Sequence, residues 1–144
     1  METIMTDCNC ACDSFTVPVH GVTMTVDTSG LTAETALDYD LEEQATGSIW
    51  LDGKAVYRKT VNVGPLPANA SSETAHGITG LETLINIGGV ATSSAGVNMP
   101  LPHAHNSAPV NVIVDAANVR VTTVYAGHAD FSGHVTLLYT KTGG

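Results

Sequence analysis

Cys8, Cys10 and Cys12 stand at alternate positions in the run Cys8-Asn9-Cys10-Ala11-Cys12, the densest group of reactive side chains in the sequence. Thiolates in such a run are potential ligands for zinc or an iron–sulfur centre. Structural zinc sites join two separated ligand pairs, commonly with about two to four residues inside each pair, and this run lacks the partner half unless other subunits supply it. On a strand, alternate cysteines face one way, which suits interchain disulfides after release into an oxidising medium. Free thiols in an attachment arm are the third reading. Cysteine count and spacing leave all three open.

His103-Ala104-His105, between Pro100 and Ser107, is the next candidate. On extended backbone both rings project to one side. Three copies around an axis would gather enough imidazoles for an octahedral transition-metal ion. Two exposed loop histidines is the plainer reading. His76, His128 and His134 have no serine or cysteine nucleophile in a recognisable setting, and Asp130 near His128 reads as a loop hydrogen-bond pair. The sequence contains no Gly-x-Ser-x-Gly, phosphate loop or zinc-protease helix. Asp38/Asp40 and Glu42/Glu43 have the composition of a glycosidase pair but sit in an acidic stretch that reads as solvated. Trp50, Tyr57 and Tyr125 would stack on sugar rings if exposed; for Trp50, core packing or a subunit interface is the better reading. No catalytic residue and no cofactor is expected.

Composition narrows the classes further. Of 144 residues, 43% are apolar and 13% charged, against about 25% charged in an average soluble domain. A chain this poor in charge has a Thr/Ser/Asn surface, or hides its surface against copies of itself. The net charge is −9, with five bases against fourteen acids, which argues against nucleic acid and anionic lipid as partners. Residues 1–53 carry ten acids and no Lys or Arg, whereas residues 54–144 carry four acids and five bases. The front of the chain therefore meets a different partner from the rest. No apolar run reaches the ~18 residues of a membrane span, and the start Met-Glu-Thr-Ile-Met lacks the regions of a signal peptide, so synthesis in a cytoplasm without export by the usual route is expected.

The elements that position these side chains are strands. Residues 1–30 read as an attachment arm with short strands at Phe15–Val19 and Val22–Val26, around His20-Gly21. Residues 31–46 read as an acidic linker or a short helix: Ala33, Ala36, Leu37, Asp40 and Leu41 have helical spacing, and periodicity leaves both open. Residues 47–144 read as a β-sandwich domain. Within it, Asp52-Gly53 between two strand-like runs signals a type I′ hairpin, and Pro65 and Pro67 end its second strand. Ser71–Gly80 reads as a loop with one helical turn at Glu73–His76. Leu81–Ile87 reads as a strand broken or bulged at Gly88-Gly89, and residues 92–109 as a long loop with a short strand at Val97–Met99. Val110/Val112/Val114, Val119/Val121/Thr123 and Val135/Leu137/Tyr139 alternate cleanly. The fold class is thus all-β, sandwich- or jelly-roll-like, with an extended N-terminal arm.

The segment from Asp38 to Val61 combines an acidic lead containing Tyr39, the hairpin Trp50-Leu51-Asp52-Gly53-Lys54 and the strand Tyr57-Arg58-Lys59-Thr60. It resembles a module of phage and prophage fibre proteins. Ala75-His76-Gly77-Ile78, Leu84-Ile85-Asn86-Ile87 and the closing Val135–Lys141 fit the same pattern, so the resemblance covers roughly residues 38–142 and leaves out the cysteine arm. It implies a bacteriophage virion protein rather than an enzyme: a homotrimeric head fibre or capsid-decoration protein, assembled in the host cytoplasm. The arm would be anchored to capsid or tail proteins and the β-domain exposed for attachment to the host surface. The alternative it implies is a tail-tip or tail-fibre module that binds a receptor or host-surface glycan. Identical heads on a threefold axis would multiply weak contacts.

Overall fold

The computed structural model describes residues 39–143 in full and the backbone of residues 14–19 and 22–27; Cys8, Cys10 and Cys12 and residues 28–38 lie outside the described residues. The chain forms two compact units that divide between Asp38 and Tyr39. In the first, β1 (Ser14–Val19) and β2 (Val22–Asp27) pair antiparallel, Val19 opposite Val22 and Ser14 opposite Asp27. Two short strands around His20-Gly21 are what the sequence predicts here; their pairing is set by the register.

The second unit holds β3 (Gln44–Ile49), β4 (Ala55–Pro65), β5 (Ser71–Ala75), β6 (Leu81–Ser93), β7 (Asn98–Leu101), β8 (Val110–Val114), β9 (Asn118–Thr123) and β10 (Phe131–Lys141). A single 3-10 turn, Ala126–Asp130, precedes β10, and no α-helix occurs among the described residues. The strands form a five-stranded antiparallel sheet, in the order β3-β4-β10-β6-β7, and a three-stranded one, β5-β9-β8. The chain changes sheet after β4, β5, β7 and β9. This is the all-β sandwich that alternation predicts.

One core joins the two sheets. Val61 and Val63 of β4, Ala91 of β6, Leu101 of β7 and Val135, Leu137 and Tyr139 of β10 meet Val110, Val119 and Val121 of the smaller sheet. Val135, Leu137 and Tyr139 are fully buried, and each such side chain contributes roughly 1.5–3 kcal/mol by leaving water. β10 is the central strand, paired with β4 on one side and β6 on the other.

Several expectations change. The hairpin between β3 and β4 is not type I′. Gly53 N–H donates to Trp50 O at 2.9 Å and Trp50 N–H to Lys54 O at 2.8 Å, and of Asp52 and Gly53 only the glycine has positive φ, +84°. That is a three-residue loop closed by a glycine bulge, and it leaves Asp52 Oδ1 to accept Lys54 N–H at 3.0 Å. Ser71–Ala75 is strand β5, not a loop with a helical turn, because β9 supplies its ladder from Ser71↔Thr122 to Ala75↔Asn118. Gly88-Gly89 does not break β6, which runs through to Ser93. A Cβ on Gly89 would stand 2.2 Å from the His134 carbonyl oxygen, so this glycine permits close approach of β6 and β10. The domain boundary also moves: the second unit begins at Tyr39, and Gly47 falls inside β3. Residues 39–43 are a lead beside β4 that bends at Leu41 and Glu42, fastened where Thr60 N–H donates to Asp40 O at 2.9 Å.

Candidate functional site

Since Val135, Leu137 and Tyr139 face the smaller sheet, strand alternation turns His134, Thr136 and Leu138 to the opposite face. Register fills in their neighbours. Leu138 lies between Arg58 and Asn86, Thr136 between Thr60 and Gly88, and His134 between Asn62 and Val90. Tyr39 and Leu41 of the acidic lead rise along the β4 side. Together these residues enclose a groove of about 670 Å³ on the outer face of the five-stranded sheet.

Its floor is the row Thr60, Thr136, Gly88. The two threonine hydroxyls are hydrogen-bonded at 2.9 Å, which leaves each with acceptor capacity toward the groove. Gly88 has no positive φ, and a Cβ built on it meets nothing within 4 Å. Among the described residues no Lys, Arg, Asp or Glu side chain lines the groove. Tyr39 is 79% exposed and carries the Arg58 guanidinium over its ring, 4.8 Å from the centroid.

The lead that forms one wall is fastened at a second point. Glu43 accepts hydrogen bonds from Tyr139 Oη at 2.6 Å and Lys141 Nζ at 2.7 Å. Lys141 also lies over the Tyr57 ring, and Tyr57 stacks on Tyr139 with centroids 6.1 Å apart. Burial alone would raise the Glu43 pKa. The hydrogen bonds from Lys141 and Tyr139 and the charges of Lys141 and Lys59 outweigh it and hold the carboxyl below its ordinary value. Burial, then the hydrogen bond and charge of Glu43, push the Tyr139 phenol far up. Glu43 is therefore not part of a solvated acidic run. Asp40 is, with Oδ1 accepting only the nearby Glu42 N–H at 3.1 Å among the described residues.

The histidines divide. His103 is half-buried and bridges to Val110 through two backbone hydrogen bonds, His105 is exposed, and their rings stack with centroids 5.9 Å apart. His128 is buried beside them, edge-on to Tyr125 at 5.3 Å and to Phe131 at 6.1 Å, and its Nδ1 finds no hydrogen-bond partner. Burial, then the charges of His103 and His105, lower the His128 pKa. Asp130 is not its partner: Asp130 Oδ1 accepts from Ser94 Oγ at 2.7 Å. Among the described residues no three His, Cys, Asp or Glu side chains are placed to share a metal ion. His76 is buried, with Nδ1 accepting Ile78 N–H at 2.9 Å, so its Nε2 carries the proton donated to Asp115 O at 3.1 Å. That ring is a fastener between β5 and the β8–β9 turn.

Trp50 and Tyr57 are half-buried, and Tyr125 is 54% exposed. None of the three lines the groove; the rings that do are the Tyr39 phenol and the His134 imidazole. Comparison with protein-family models, with curated proteins and with solved structures finds no match.

Proposed function

We propose that this chain is a bacteriophage virion structural protein, a trimeric head fibre or capsid-decoration protein anchored by its N-terminal arm and presenting the β-sandwich outward. The observation that carries the assembly is the free edge of the smaller sheet. β8 pairs with β9 in unbroken register, and among the described residues only Val110 is bridged on the other side, to His103. Strand parity turns the N–H and C=O of Val112 and Val114 toward the same open edge. Isolated domains guard such edges with charge, proline or bulges, and β8, Val110-Asn111-Val112-Ile113-Val114, has none of these. Ile113 is 55% exposed there. A neighbouring copy would cover both. The low charge and the fibre-like segment from Asp38 to Val61 support the same reading.

Light scattering at micromolar concentration tests the trimer: the expected mass is about three times 14.9 kDa, and Ile113→Lys is expected to lower it. A mass near 14.9 kDa for the unaltered chain refutes it. Deleting residues 1–14 is expected to leave a folded head that no longer joins particles; full incorporation of the truncated protein refutes the anchor. One observation favours the second reading, a receptor- or carbohydrate-binding module at a tail tip: the outer groove beside Tyr39.

A further inference from the structure

We propose that the outer groove of the five-stranded sheet is a binding site for a neutral saccharide, with Gly88 leaving the space that a sugar ring fills. This rests on the sandwich being presented outward.

Gly88 is the first support. It needs no glycine for its backbone, since its φ is not positive, and none for packing, since a Cβ there meets open space. Its neighbour Gly89 is required by the His134 carbonyl. A glycine in the middle of a strand sacrifices β propensity and side-chain packing. At position 88 the cost has one structural return: any side chain would project into the groove above Thr136.

The chemistry of the walls is the second. Among the described residues the lining side chains carry no carboxylate or ammonium, and the one guanidinium beside them, Arg58, is buried and turned onto the Tyr39 ring, so the walls favour a neutral ligand over an ion. What they offer is hydroxyls on Thr60 and Thr136, the amide of Asn86 and the imidazole of His134, interleaved with Leu41, Leu138 and Val90. A sugar ring presents the same alternation, hydroxyls at its edge and C–H groups on its faces. Tyr39, exposed and held by the Arg58 guanidinium, supplies an aromatic ring at the rim, where tyrosine pairs an apolar face with a hydrogen-bonding tip. The volume lies within the range of small-molecule sites, about 300–1,000 Å³.

The test is titration of the full-length protein with lactose, maltotriose, N,N′-diacetylchitobiose and a rhamnose disaccharide, followed by amide chemical shifts. At least one sugar is expected to shift Asn86, Gly88 and Thr136 saturably. Gly88→Leu, which fills the groove without a backbone clash, is expected to weaken that binding about tenfold or more while circular dichroism and oligomeric mass stay unchanged. Tyr39→Ala is expected to weaken it too, and Val124→Ala, outside the groove, to leave it alone. Absence of saturable shifts with every sugar overturns the proposal. So does unaltered affinity in Gly88→Leu, or equal affinity for N-acetylneuraminic acid. A change of oligomeric mass in Gly88→Leu overturns it in favour of a subunit contact. The trimer is measured without sugar, so a failed groove and a failed assembly give different results.

Discussion

Removing the Glu43 carboxylate should expose how the acidic lead is held. Tyr139 is fully buried on the central strand, and Glu43 accepts the hydrogen bond from its hydroxyl. In Glu43→Ala the phenol loses that acceptor, and a buried unsatisfied hydroxyl costs about 1–3 kcal/mol. The Lys141 contact adds less. The two side chains are 25% and 29% exposed, and partly exposed pairs contribute about 1 kcal/mol or less. The expected loss for Glu43→Ala is therefore about 2–3 kcal/mol, and for Glu43→Gln, which keeps an acceptor, about 1 kcal/mol. Tyr139→Phe alone should cost about 1–2 kcal/mol, yet in the Glu43→Ala background it should cost almost nothing, because it removes the orphaned hydroxyl. The cycle then closes with a coupling of about 1–2 kcal/mol. Urea unfolding followed by fluorescence reads all four proteins, and Glu43→Ala should lower the midpoint by about 1–2 M. Independent effects, with coupling below about 0.3 kcal/mol, would refute the clamp.

Acid should weaken the domain through a different side chain. His128 has its folded pKa held below the ordinary 6.5. The unfolded chain thus binds the proton more readily, so this contribution is complete above pH 6.5 and is lost as pH falls from there through the folded value. Melting temperature measured from pH 8 to 5 should drop, and His128→Leu should flatten the profile in that window; an unchanged slope would assign the acid response elsewhere. The paired glycines should behave oppositely. Gly89→Ala forces Cβ against the His134 carbonyl and should cost about 3 kcal/mol or more, whereas Gly88→Ala should melt at or above the parent temperature. Equal melting temperatures for the two would contradict the register of β6 on β10.

Strands that alternate apolar and polar residues were legible in the sequence, because burial on one face imposes that period. Val110/Val112/Val114, Val119/Val121 and Val135/Leu137/Tyr139 all follow it. β5 escaped because Ser71-Ser72-Glu73-Thr74-Ala75 has no large apolar side chain. Its strand state comes from the β9 ladder and from pairs such as Ser71–Thr122 and Glu73–Arg120, which lie far apart in sequence. Gly88-Gly89 reads as a break by local propensity, and two long neighbours override it. The turn type was misread for a similar reason: Asp-Gly fits several hairpin loops, and loop length decides between them. The groove was invisible because Tyr39, Thr60, Gly88 and Thr136 become neighbours only through strand register. Its one local signal is a glycine on the outward parity of a long strand.

The place of β10 has a consequence for biosynthesis. β4 and β6 do not touch as sheet neighbours; each is paired to β10, the last strand of the unit. A ribosome therefore finishes nearly the whole domain before the strand that joins its halves emerges, and until then Val61, Val63 and Ala91 have lost their shared wall. Closure waits on contacts distant in sequence, the slow class of folding event. Nascent chains stalled ahead of Phe131 should accordingly be degraded by cellular proteases, and the closed sandwich arises only once translation has passed that point.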